Sequence, residues 1–508
     1  MQSFADPIER AERCFGDREG VVAGEVRLSF GAFAERCRRL AGWLLARTQR
    51  GDRVAVLAAN SHQQLELYCA VPACGRLIVP LNGRHALPEI AYALRDSGAR
   101  LLFTDWSAAA LGELADLASE IVPLGAGYED RIAGAPRAAL GRGVGEDDLA
   151  GLFYTGGTTG ASKGVMLSQR NKLADALHLN TSVRLTQDDT WQVISPMFHT
   201  AGTFHALLCL WVGARQVILP GFEARGVLDA IERERSSVMF GVPTMLSAML
   251  EEQRARERDL SSLRLLGYGA APASSSLLRR VRDALPRCEL VSMYGATELA
   301  PMATTLEHME RCVDDERALS AGRPIPGVRL RILDAEGREL GPREVGEVAV
   351  AGPNVMRGYW NKAEQTAEVL RLGWYHTGDL GFLDERGCLY LVDRAKDMIV
   401  SGGENVYSSE VEEVLYRHPA VLECAVFGVP DPHWGEAVRA AVVLRPGRSA
   451  SEDELREHCR RALGGYKVPK AVDLHGDALP KSGAGKILKR ALRAPFWQGR
   501  ERGIHGSE

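Results

Sequence analysis

The first third of the chain alternates between two spacings of apolar residues. Cys37, Leu40 and Leu44 recur at helical spacing, and a continuous apolar run over residues 54–57 follows them. A spacing near 3.6 residues is typical of a helix with one buried face, and short apolar runs are typical of buried strands. The predicted helices lie near 36–45, 65–74 and 87–96, and the predicted strands at 54–57, 77–81 and 100–104. Repeated helix–strand units of this kind predict a largely parallel sheet that is covered by helices.

A second run of the same type begins after residues 129–146, a stretch rich in Gly, Ala and Arg whose composition predicts a linker. Its predicted strands lie at 191–195, 216–219 and 237–241, and an apolar helix is predicted at 204–211. We interpret the two runs as related wound α/β layers of one large domain.

The pattern changes to short alternating strands after about Ala321, with strands predicted at 328–333 and 346–350. This texture predicts a small β-barrel or sheet. From Asp397 the chain restarts as a compact α+β module. Its predicted strands lie at 398–400, 422–429 and 438–444, and its predicted helices follow the capping boxes at Ser409 and Ser451. The predicted fold class is therefore α/β, with a small α+β C-terminal domain.

The boundary between these parts is predicted at residues 393–397, a charged stretch between two apolar strands. Such a stretch suits a hinge that is exposed to water. We therefore predict a large N-terminal domain over 1–393, a hinge over 394–396 and a C-terminal domain over 397–508.

Composition narrows the range of partners. The 508 residues carry a formal net charge of -4 and contain no basic block, so neither nucleic acid nor an anionic membrane is expected as a partner. No stretch approaches about 18 consecutive apolar residues, so no integral membrane segment is expected. The 10 cysteines are scattered without a C-x-x-C pair, which predicts neither a zinc site nor a disulfide frame and fits a reducing cytoplasm.

The loop from Tyr154 to Gly164 carries the strongest chemical signal. Its four glycines let backbone N–H groups turn toward an anion, and its hydroxyl groups and Lys163 add donors and positive charge. The loop is not a Walker A motif, because Lys163 follows Ser162 and precedes Gly164. It therefore predicts a nucleotide site outside the P-loop NTPases. The residues predicted to bind phosphate are Thr155, Gly156, Gly157, Thr158, Thr159, Gly160 and Lys163.

Together with four later motifs, this loop resembles the ordered core motifs of adenylate-forming enzymes, specifically acyl-CoA synthetases. The later motifs are Tyr294-Gly295-Ala296-Thr297-Glu298, residues 375–379, residues 393–397 with 401–405, and residues 480–486. The resemblance spans nearly the whole chain. It implies a two-step reaction, in which a carboxylate attacks the α-phosphate of ATP to give acyl-adenylate and pyrophosphate, and the thiol of coenzyme A then displaces AMP.

The resemblance assigns the first step to a small set of residues. Lys486 matches the catalytic lysine, which bridges the substrate carboxylate and the α-phosphate region. Thr297 is expected to contact the α-phosphate. Glu298, with Thr155, is expected to hold Mg²⁺, because hard cations prefer oxygen ligands.

Adenosine requires an aromatic face for the base and a carboxylate for the ribose hydroxyls. By the resemblance, Tyr294 stacks on adenine beside Gly295 and Ala296, and Asp379 accepts from the ribose with Arg394 donating to the same sugar. The tight wall opposite the base is expected at Gly269, Ala270 and Ala271.

The second step implies a mobile C-terminal domain. Lys396 stands at the position of the family's hinge residue, and rotation about it is expected to bring Gly402 and Gly403 alongside the pantetheine arm of coenzyme A.

The acyl pocket is the least readable part of the resemblance. His199 is expected to line or gate it, and the absence of an Asp in its segment argues against an α-amino acid. The predicted walls are Val242, Pro243, Tyr268, Gly269, Ala270 and Met302. They suggest a hydrophobic aliphatic or aryl acid.

Three questions stay open in the sequence. The acyl group could pass to another acceptor instead of coenzyme A, or the chain could be a non-catalytic ATP-binding homologue. The oligomeric state is also open, and a homodimer is one alternative.

Overall fold

The structure is a computed structural model of the chain, and it describes residues 3–155, 162–271, 273–308, 316–394, 397–401, 404–483 and 485–498. Within these residues, helices α1 to α15 span Ala5–Phe15, Phe30–Leu45, His62–Ala73, Leu87–Ser97, Ala108–Leu111, Ala126–Ala133, Gln169–Val183, Phe204–Val212, Ala224–Glu234, Pro243–Ala255, Ser275–Ala284, Ala363–Val369, Ser408–Tyr416, Glu452–Arg460 and Lys489–Arg493. Short 3₁₀ turns lie at Gly112–Leu117, Thr200–Gly202, Thr297–Leu299, Glu316–Leu319 and Ala494–Phe496.

Strands β1 to β26 span Glu19–Ala23, Val26–Ser29, Arg53–Leu57, Leu77–Pro80, Leu101–Thr104, Glu120–Pro123, Leu149–Thr155, Lys163–Ser168, Thr190–Val193, Arg215–Ile218, Val238–Gly241, Leu265–Gly269, Glu289–Gly295, Met302–His308, Arg323–Pro324, Arg329–Leu333, Gly346–Ala351, Gly358–Tyr359, Leu370–Arg371, Trp374–Leu383, Leu389–Arg394, Ile399–Ser401, Glu404–Val406, Val421–Asp431, Gly435–Leu444 and Ala471–His475. They form four sheets among the described residues.

Two large sheets form the body of the protein. The first has seven strands in the order β18-β8-β7-β4-β3-β5-β6, and the second has nine in the order β15-β14-β13-β12-β11-β9-β10-β1-β2. The central strands of both run parallel. Antiparallel strands close both edges of the nine-stranded sheet and one edge of the seven-stranded sheet, whose other edge strand, β6, is parallel to β5. The two predicted wound α/β layers are confirmed as these two sheets.

Helices fill the space between the two large sheets. From Gln63 to Ala73 every residue of α3 is buried, because helices α1 and α2 and strands of both large sheets pack around it. One continuous core joins side chains of both sheets through this layer, including Phe103 of β5 and Trp191 of β9. Separate apolar clusters cover the outer face of each sheet. Both sheets are thus covered on both faces, as parallel sheets require.

The sequence pattern missed several elements and misread one stretch. Helix α1, strands β1 and β2 and the long helix α7 were not predicted. Part of the predicted linker over 129–146 is helical, since α6 spans Ala126–Ala133. Tyr128 and Ile132, one turn apart, are buried against the core, and this packing outweighs the local composition.

Two smaller antiparallel units follow. Strands β16, β17, β20, β19 and β21 form the predicted small β unit as a five-stranded sheet. Strands β22 to β26 form a second five-stranded sheet, with α13 and α14 packed on one face and the segment around Leu479 and Leu492 on the other. This second unit is the predicted α+β module.

The C-terminal unit packs against the body at one surface. Ser275 Oγ donates a 2.7 Å hydrogen bond to Glu413 Oε1, and Arg445 lies 3.5 Å from Glu251. Among the helices in the described ranges, none is both long enough and apolar enough to span a bilayer.

Candidate active site

Three residues predicted to bind adenosine meet where two sheets adjoin. Asp379 on β20 and Arg394 on β21 are direct partners across antiparallel strands, and Arg394 Nε lies 3.1 Å from Asp379 Oδ1. Tyr294, at the end of β13, donates a 2.7 Å hydrogen bond from its hydroxyl to Asp379 Oδ2. Burial and the adjacent carboxylate raise the pKa of Tyr294, so the phenol stays protonated and can donate.

The predicted tight wall follows the neighbouring strand. Strand β12 runs parallel to β13 and pairs Gly269 with Met293, so Gly269 ends beside Tyr294. A Cβ atom at Gly269 would lie 2.0 Å from the carbonyl oxygen of Met293, which leaves room for glycine alone. The next residue, Ala270, has a φ of +63°, an uncommon conformation for a residue with a Cβ. Gly269, Ala270 and Ala271 thus form a closely packed segment at the carboxyl end of β12, which we call the narrow step.

The predicted metal ligand lies in a turn directly after β13. Gly295 and Ala296 lead into the 3₁₀ turn Thr297–Leu299. A Cβ at Gly295 would lie 1.9 Å from the Pro301 carbonyl oxygen, so the chain passes close to itself at this point. The Tyr359 hydroxyl donates a 2.9 Å hydrogen bond to Glu298 Oε1. Burial raises the pKa of Glu298, and the charges of Arg394 and Lys163 oppose this rise.

A single carboxylate is a fitting ligand for Mg²⁺ that arrives with a nucleotide. Mg²⁺ commonly binds through one or two carboxylates together with water and substrate phosphates. In the described ranges no group of three or more His, Cys, Asp or Glu side chains could hold a metal by itself. The chemistry of Glu298 therefore fits a cation shared with phosphate.

The predicted phosphate loop connects β7 and β8. Thr155 and Lys163 are paired at the two ends of this hairpin, and the Lys163 ammonium lies 4.7 Å from the centroid of the Tyr359 ring. The ring thus contacts Lys163 while its hydroxyl reaches Glu298. The remaining residues predicted here, Gly156, Gly157, Thr158, Thr159 and Gly160, lie outside the described residues.

Lys486 lies in a tight turn against the body of the protein. Ser482 N donates to the Lys486 carbonyl at 2.7 Å, and Lys486 N donates to Ser482 Oγ at 3.2 Å. Burial and the Arg394 charge lower the pKa of the Lys486 ammonium to about 8, and the charges of Asp379 and Asp397 oppose the change. The lysine therefore lies within electrostatic reach of the Asp379–Arg394 pair.

The body of the protein holds this turn through the loop after β4 and the first turn of α10. Arg84 Nη1 donates a 2.7 Å hydrogen bond to the Gly483 carbonyl, and Thr244 Oγ1 donates to the Gly485 carbonyl at 3.4 Å. A Cβ at Gly483 would lie 2.6 Å from the Asn82 side chain, so the turn of Lys486 and the loop after β4 are in close contact.

His199 follows β9 and precedes a 3₁₀ turn. Its ring lies 4.7 Å from that of Phe198, and its Nε2 atom is buried without a hydrogen-bond partner among the described residues. Burial, helped by the charges of His85 and Arg84, lowers the pKa of His199 to about 4. The imidazole is therefore neutral at physiological pH, as suits a pocket lining.

The predicted acyl walls follow the same ends of the parallel strands. Val242, Tyr268 and Met302 are all buried, after β11, on β12 and at the start of β14. The predicted hinge residue Lys396 and the predicted pantetheine contacts Gly402 and Gly403 lie outside the described residues.

Sequence reasoning missed several residues that support the site. Tyr359 and Arg84 reach it from β18 and from the loop after β4, and no local pattern marks either one. Asn354 was also missed, although it donates to the carbonyls of Leu299 and Met302 at 3.0 and 2.6 Å. A Gly-Pro-Asn stretch reads as an ordinary turn.

Comparison with known proteins gives matches over most of the chain. The family model described as AMP-binding enzyme matches residues 8–360, and the model described as AMP-binding enzyme C-terminal domain matches residues 410–486. Feruloyl-CoA synthase from Amycolatopsis sp is 41% identical over 495 residues, which cover 96% of this chain and 98% of that protein.

Two further relatives extend this picture. The fatty acid–[acyl-carrier-protein] ligase ScoC from Streptomyces coeruleorubidus is 38% identical over 458 residues, covering 88% of this chain and 87% of that protein. The crystal structure of ATP-bound MatB from Rhodopseudomonas palustris is 32% identical, with a TM-score of 0.89 and 100% of both chains covered. The chain therefore belongs to the AMP-binding enzyme family, among the acyl-CoA synthetases of the adenylate-forming superfamily.

Proposed function

We propose that the protein is an ATP-dependent ligase that joins a hydrophobic aryl acid to coenzyme A. The observation that carries this proposal is the docking of the Lys486 turn against the body of the protein, which keeps the lysine within electrostatic reach of the Asp379–Arg394 pair. A cationic donor at that point can neutralise charge on a transferring phosphoryl group. The aryl class is supported by the feruloyl-CoA synthase relative and by the apolar walls with a neutral His199.

In the first step, a carboxylate oxygen of the acid attacks the α-phosphorus of ATP, and the bond to pyrophosphate breaks. Tyr294 and Asp379 orient the adenosine, Arg394 contacts the ribose, and the narrow step at Gly269–Ala271 limits the base. Thr297, Lys163 and Lys486 donate to the phosphate oxygens. Glu298 and Thr155 hold Mg²⁺, which when bound neutralises phosphate charge.

In the second step, the thiol of coenzyme A attacks the acyl carbon, and AMP leaves with the electrons of the acyl–oxygen bond. We propose that residues 397–508 rotate about a hinge at 394–396, so that Lys486 leaves the body of residues 1–393 before the thiol enters. Lys396 serves as the hinge residue, and Gly402 and Gly403 border the pantetheine path. Polar side-chain contacts join the C-terminal unit to the body, such as Ser275 with Glu413 and Arg84 with the Gly483 carbonyl, and polar interfaces of this kind support such a motion.

We propose that the enzyme works in the cytoplasm, a reducing compartment. The cysteines in the described ranges are free thiols, and most are buried. This supports a setting in which disulfides do not form.

The first test is pyrophosphate release with ATP and Mg²⁺ across a panel of acids. The panel runs from acetate through long-chain fatty acids to benzoates and hydroxycinnamates, each with and without coenzyme A. We expect rapid turnover with a hydroxycinnamate or another aryl acid, and only when coenzyme A is present. Rapid turnover with fatty acids alone would overturn the aryl assignment.

The acceptor is tested in the same assay. The ScoC relative is named for transfer to an acyl carrier protein, so a phosphopantetheinylated carrier protein is included as an alternative acceptor. Turnover with the carrier and none with coenzyme A would overturn the proposed acceptor.

The role of Lys486 is tested separately with pre-made acyl-adenylate. A Lys486→Ala variant is expected to lose adenylate formation and to keep thioester formation from the adenylate and coenzyme A. Loss of both steps in a folded variant contradicts the assigned role.

A further inference from the structure

A buried pair of opposite charges lies on one face of α7. Lys172 is 1% exposed and Asp175 is 0% exposed, and the two stand three residues apart on the helix. Their charges interact, and neither residue belongs to the motifs that identify the family. Residues of this type are almost never fully buried unless they are paired.

Both side chains reach the turn that carries Glu298. Lys172 Nζ donates a 2.8 Å hydrogen bond to the carbonyl of Ala300. Asp175 Oδ1 accepts a 2.9 Å hydrogen bond from the backbone N–H of Met302. One turn of α7 therefore holds two backbone groups of the segment 297–302.

This segment needs outside support because its backbone is unusual. Ala300 has a φ of +69°, in the left-handed region that residues with a Cβ rarely adopt. Asn354 holds the Leu299 and Met302 carbonyls, and Met356 N donates to the Glu298 carbonyl at 2.8 Å. The pair on α7 adds the only charged side chains to this set of backbone contacts, as far as the described residues go.

Lys172 also contacts the strand of the phosphate loop. Its ammonium lies 5.6 Å from the ring centroid of Phe153, which precedes Thr155 by two residues on β7. It lies 6.0 Å from the ring of Tyr68 on α3. Lys172 thus stands between the strand that ends in Thr155 and the turn that presents Glu298.

Core stability alone does not account for two buried charges. Buried charges can often be replaced by apolar residues of similar volume without loss of stability. Asp175 Oδ2 is buried and has no hydrogen-bond partner among the residues described, so the pair is not fully satisfied. The specific bonds of the pair, which go to one turn of the site, point to a role in placing that turn.

We propose that Lys172 and Asp175 are positioning residues for the adenylation site, with Lys172 setting the turn that presents Thr297 and Glu298 to Mg²⁺-ATP. Asp175 sets the other end of the same turn at Met302, a predicted wall of the acyl pocket. This inference rests on the proposed function, because it takes Glu298 as the metal-side carboxylate.

Two variants and one control test the proposal. Lys172→Met removes the donor to Ala300, but it leaves the buried Asp175 without the opposite charge of Lys172 and can lower stability. The double variant Lys172→Met/Asp175→Leu removes both charges and avoids that penalty. Arg170→Met is the matched control, because Arg170 is an exposed cation on α7 whose guanidinium pairs with Glu146 and Asp147 instead.

We expect the double variant to keep the melting temperature of the wild type within a few degrees. Its KM for Mg²⁺-ATP and its half-saturating Mg²⁺ concentration are expected to rise roughly 10-fold, the effect of losing a hydrogen bond to a charged group. Its rate of thioester formation from pre-made acyl-adenylate and coenzyme A is expected to change less than twofold. The Arg170→Met control is expected to match the wild type in each measurement.

A double variant with wild-type KM for Mg²⁺-ATP and wild-type Mg²⁺ dependence would overturn the proposal and make the pair part of the core only. Calorimetric titration of Mg²⁺-ATP into each protein separates this result from failure of the proposed function. If the wild type releases no pyrophosphate with any acid, the affinity for Mg²⁺-ATP still tests the role of Lys172 and Asp175. Equal affinity in the wild type and the double variant would likewise overturn the role of Lys172 and Asp175.

Discussion

The Tyr294 hydroxyl donates a 2.7 Å hydrogen bond to Asp379 Oδ2, although the two residues stand on strands of different sheets. The residue proposed to stack on adenine therefore also orients the carboxylate proposed to bind ribose. Arg394 holds the other oxygen of the same carboxylate at 3.1 Å. The two contacts fix the orientation of this carboxylate, and a group that is fixed in this way loses less entropy when a ligand binds.

Removal of the Tyr294 hydroxyl tests this relationship. Tyr294→Phe keeps the aromatic face but frees Oδ2 of Asp379. A hydrogen bond of this kind contributes about 0.5–1.5 kcal/mol, so KM for ATP is expected to rise roughly 2- to 10-fold with kcat little changed. Tyr466→Phe, at an exposed tyrosine of the C-terminal unit, is the control. An unchanged or lower KM for ATP in Tyr294→Phe would show that the bond does not orient the carboxylate.

Glu298 is expected to govern the dependence on Mg²⁺. Glu298→Gln keeps the size of the side chain and an acceptor for Tyr359 but removes the charge that favours a hard cation. We expect adenylate formation to slow about 100-fold and to need more Mg²⁺, as when one preorganised electrostatic group is lost. The measurement is a Mg²⁺ titration of pyrophosphate release, with Glu364→Gln, an exposed glutamate of α12, as the control. A Mg²⁺ dependence equal to that of the wild type would contradict the ligand assignment.

The pKa of Lys486 predicts an alkaline limit for the first step. Lys486 acts as a cation, and burial lowers its pKa to about 8 from 10.5. The protonated lysine is therefore present below about pH 8 and is lost as the pH rises through that value. We expect kcat/KM for ATP, measured without coenzyme A, to fall tenfold per pH unit above about 8, since kcat/KM reports groups of the free enzyme.

Lys486→Arg provides the comparison for this profile. The guanidinium stays protonated throughout this range, so any residual activity of the variant should keep its rate up to about pH 10. A wild-type profile that stays flat to pH 10 would mean that Lys486 is not the titrating cation.

Arg84 is expected to increase the rate of adenylate formation, the first half-reaction, and to leave the rate of thioester formation, the second, unchanged. Its 2.7 Å bond to the Gly483 carbonyl holds the turn of Lys486 against the body. A hydrogen bond from a charged group contributes about 1.5–3 kcal/mol, so Arg84→Met should slow adenylate formation roughly 10- to 100-fold. Thioester formation from pre-made acyl-adenylate should keep its wild-type rate.

The matched control for Arg84 is Arg95→Met, at an exposed arginine of α4. Both half-reactions of this control should run at wild-type rates. Equal slowing of both steps in Arg84→Met would indicate damage to the fold and not a role in docking the turn.

Local patterns predicted most of the elements that carry the site. The apolar run over 54–57 became β3, and the helical spacing of Cys37, Leu40 and Leu44 became the buried face of α2. Both periods are set by backbone geometry, so they appear in the sequence of each element. The patterns failed to predict helices that are buried on more than one face, and helices whose composition resembles that of a linker. Helix α6, within the predicted linker, is an example of the second kind.

The sequence by itself determined the family, the order of the motifs and the chemistry of the groups proposed to bind ATP, because each motif is a short stretch whose local geometry its own residues define. Only the tertiary structure decided which motifs touch one another. Tyr359 and Glu298 are 61 residues apart, and Arg84 and Gly483 are 399 apart. Such contacts depend on the order of strands in the sheets and on the packing of α7 between them, and no periodicity in one stretch of sequence encodes the position of another.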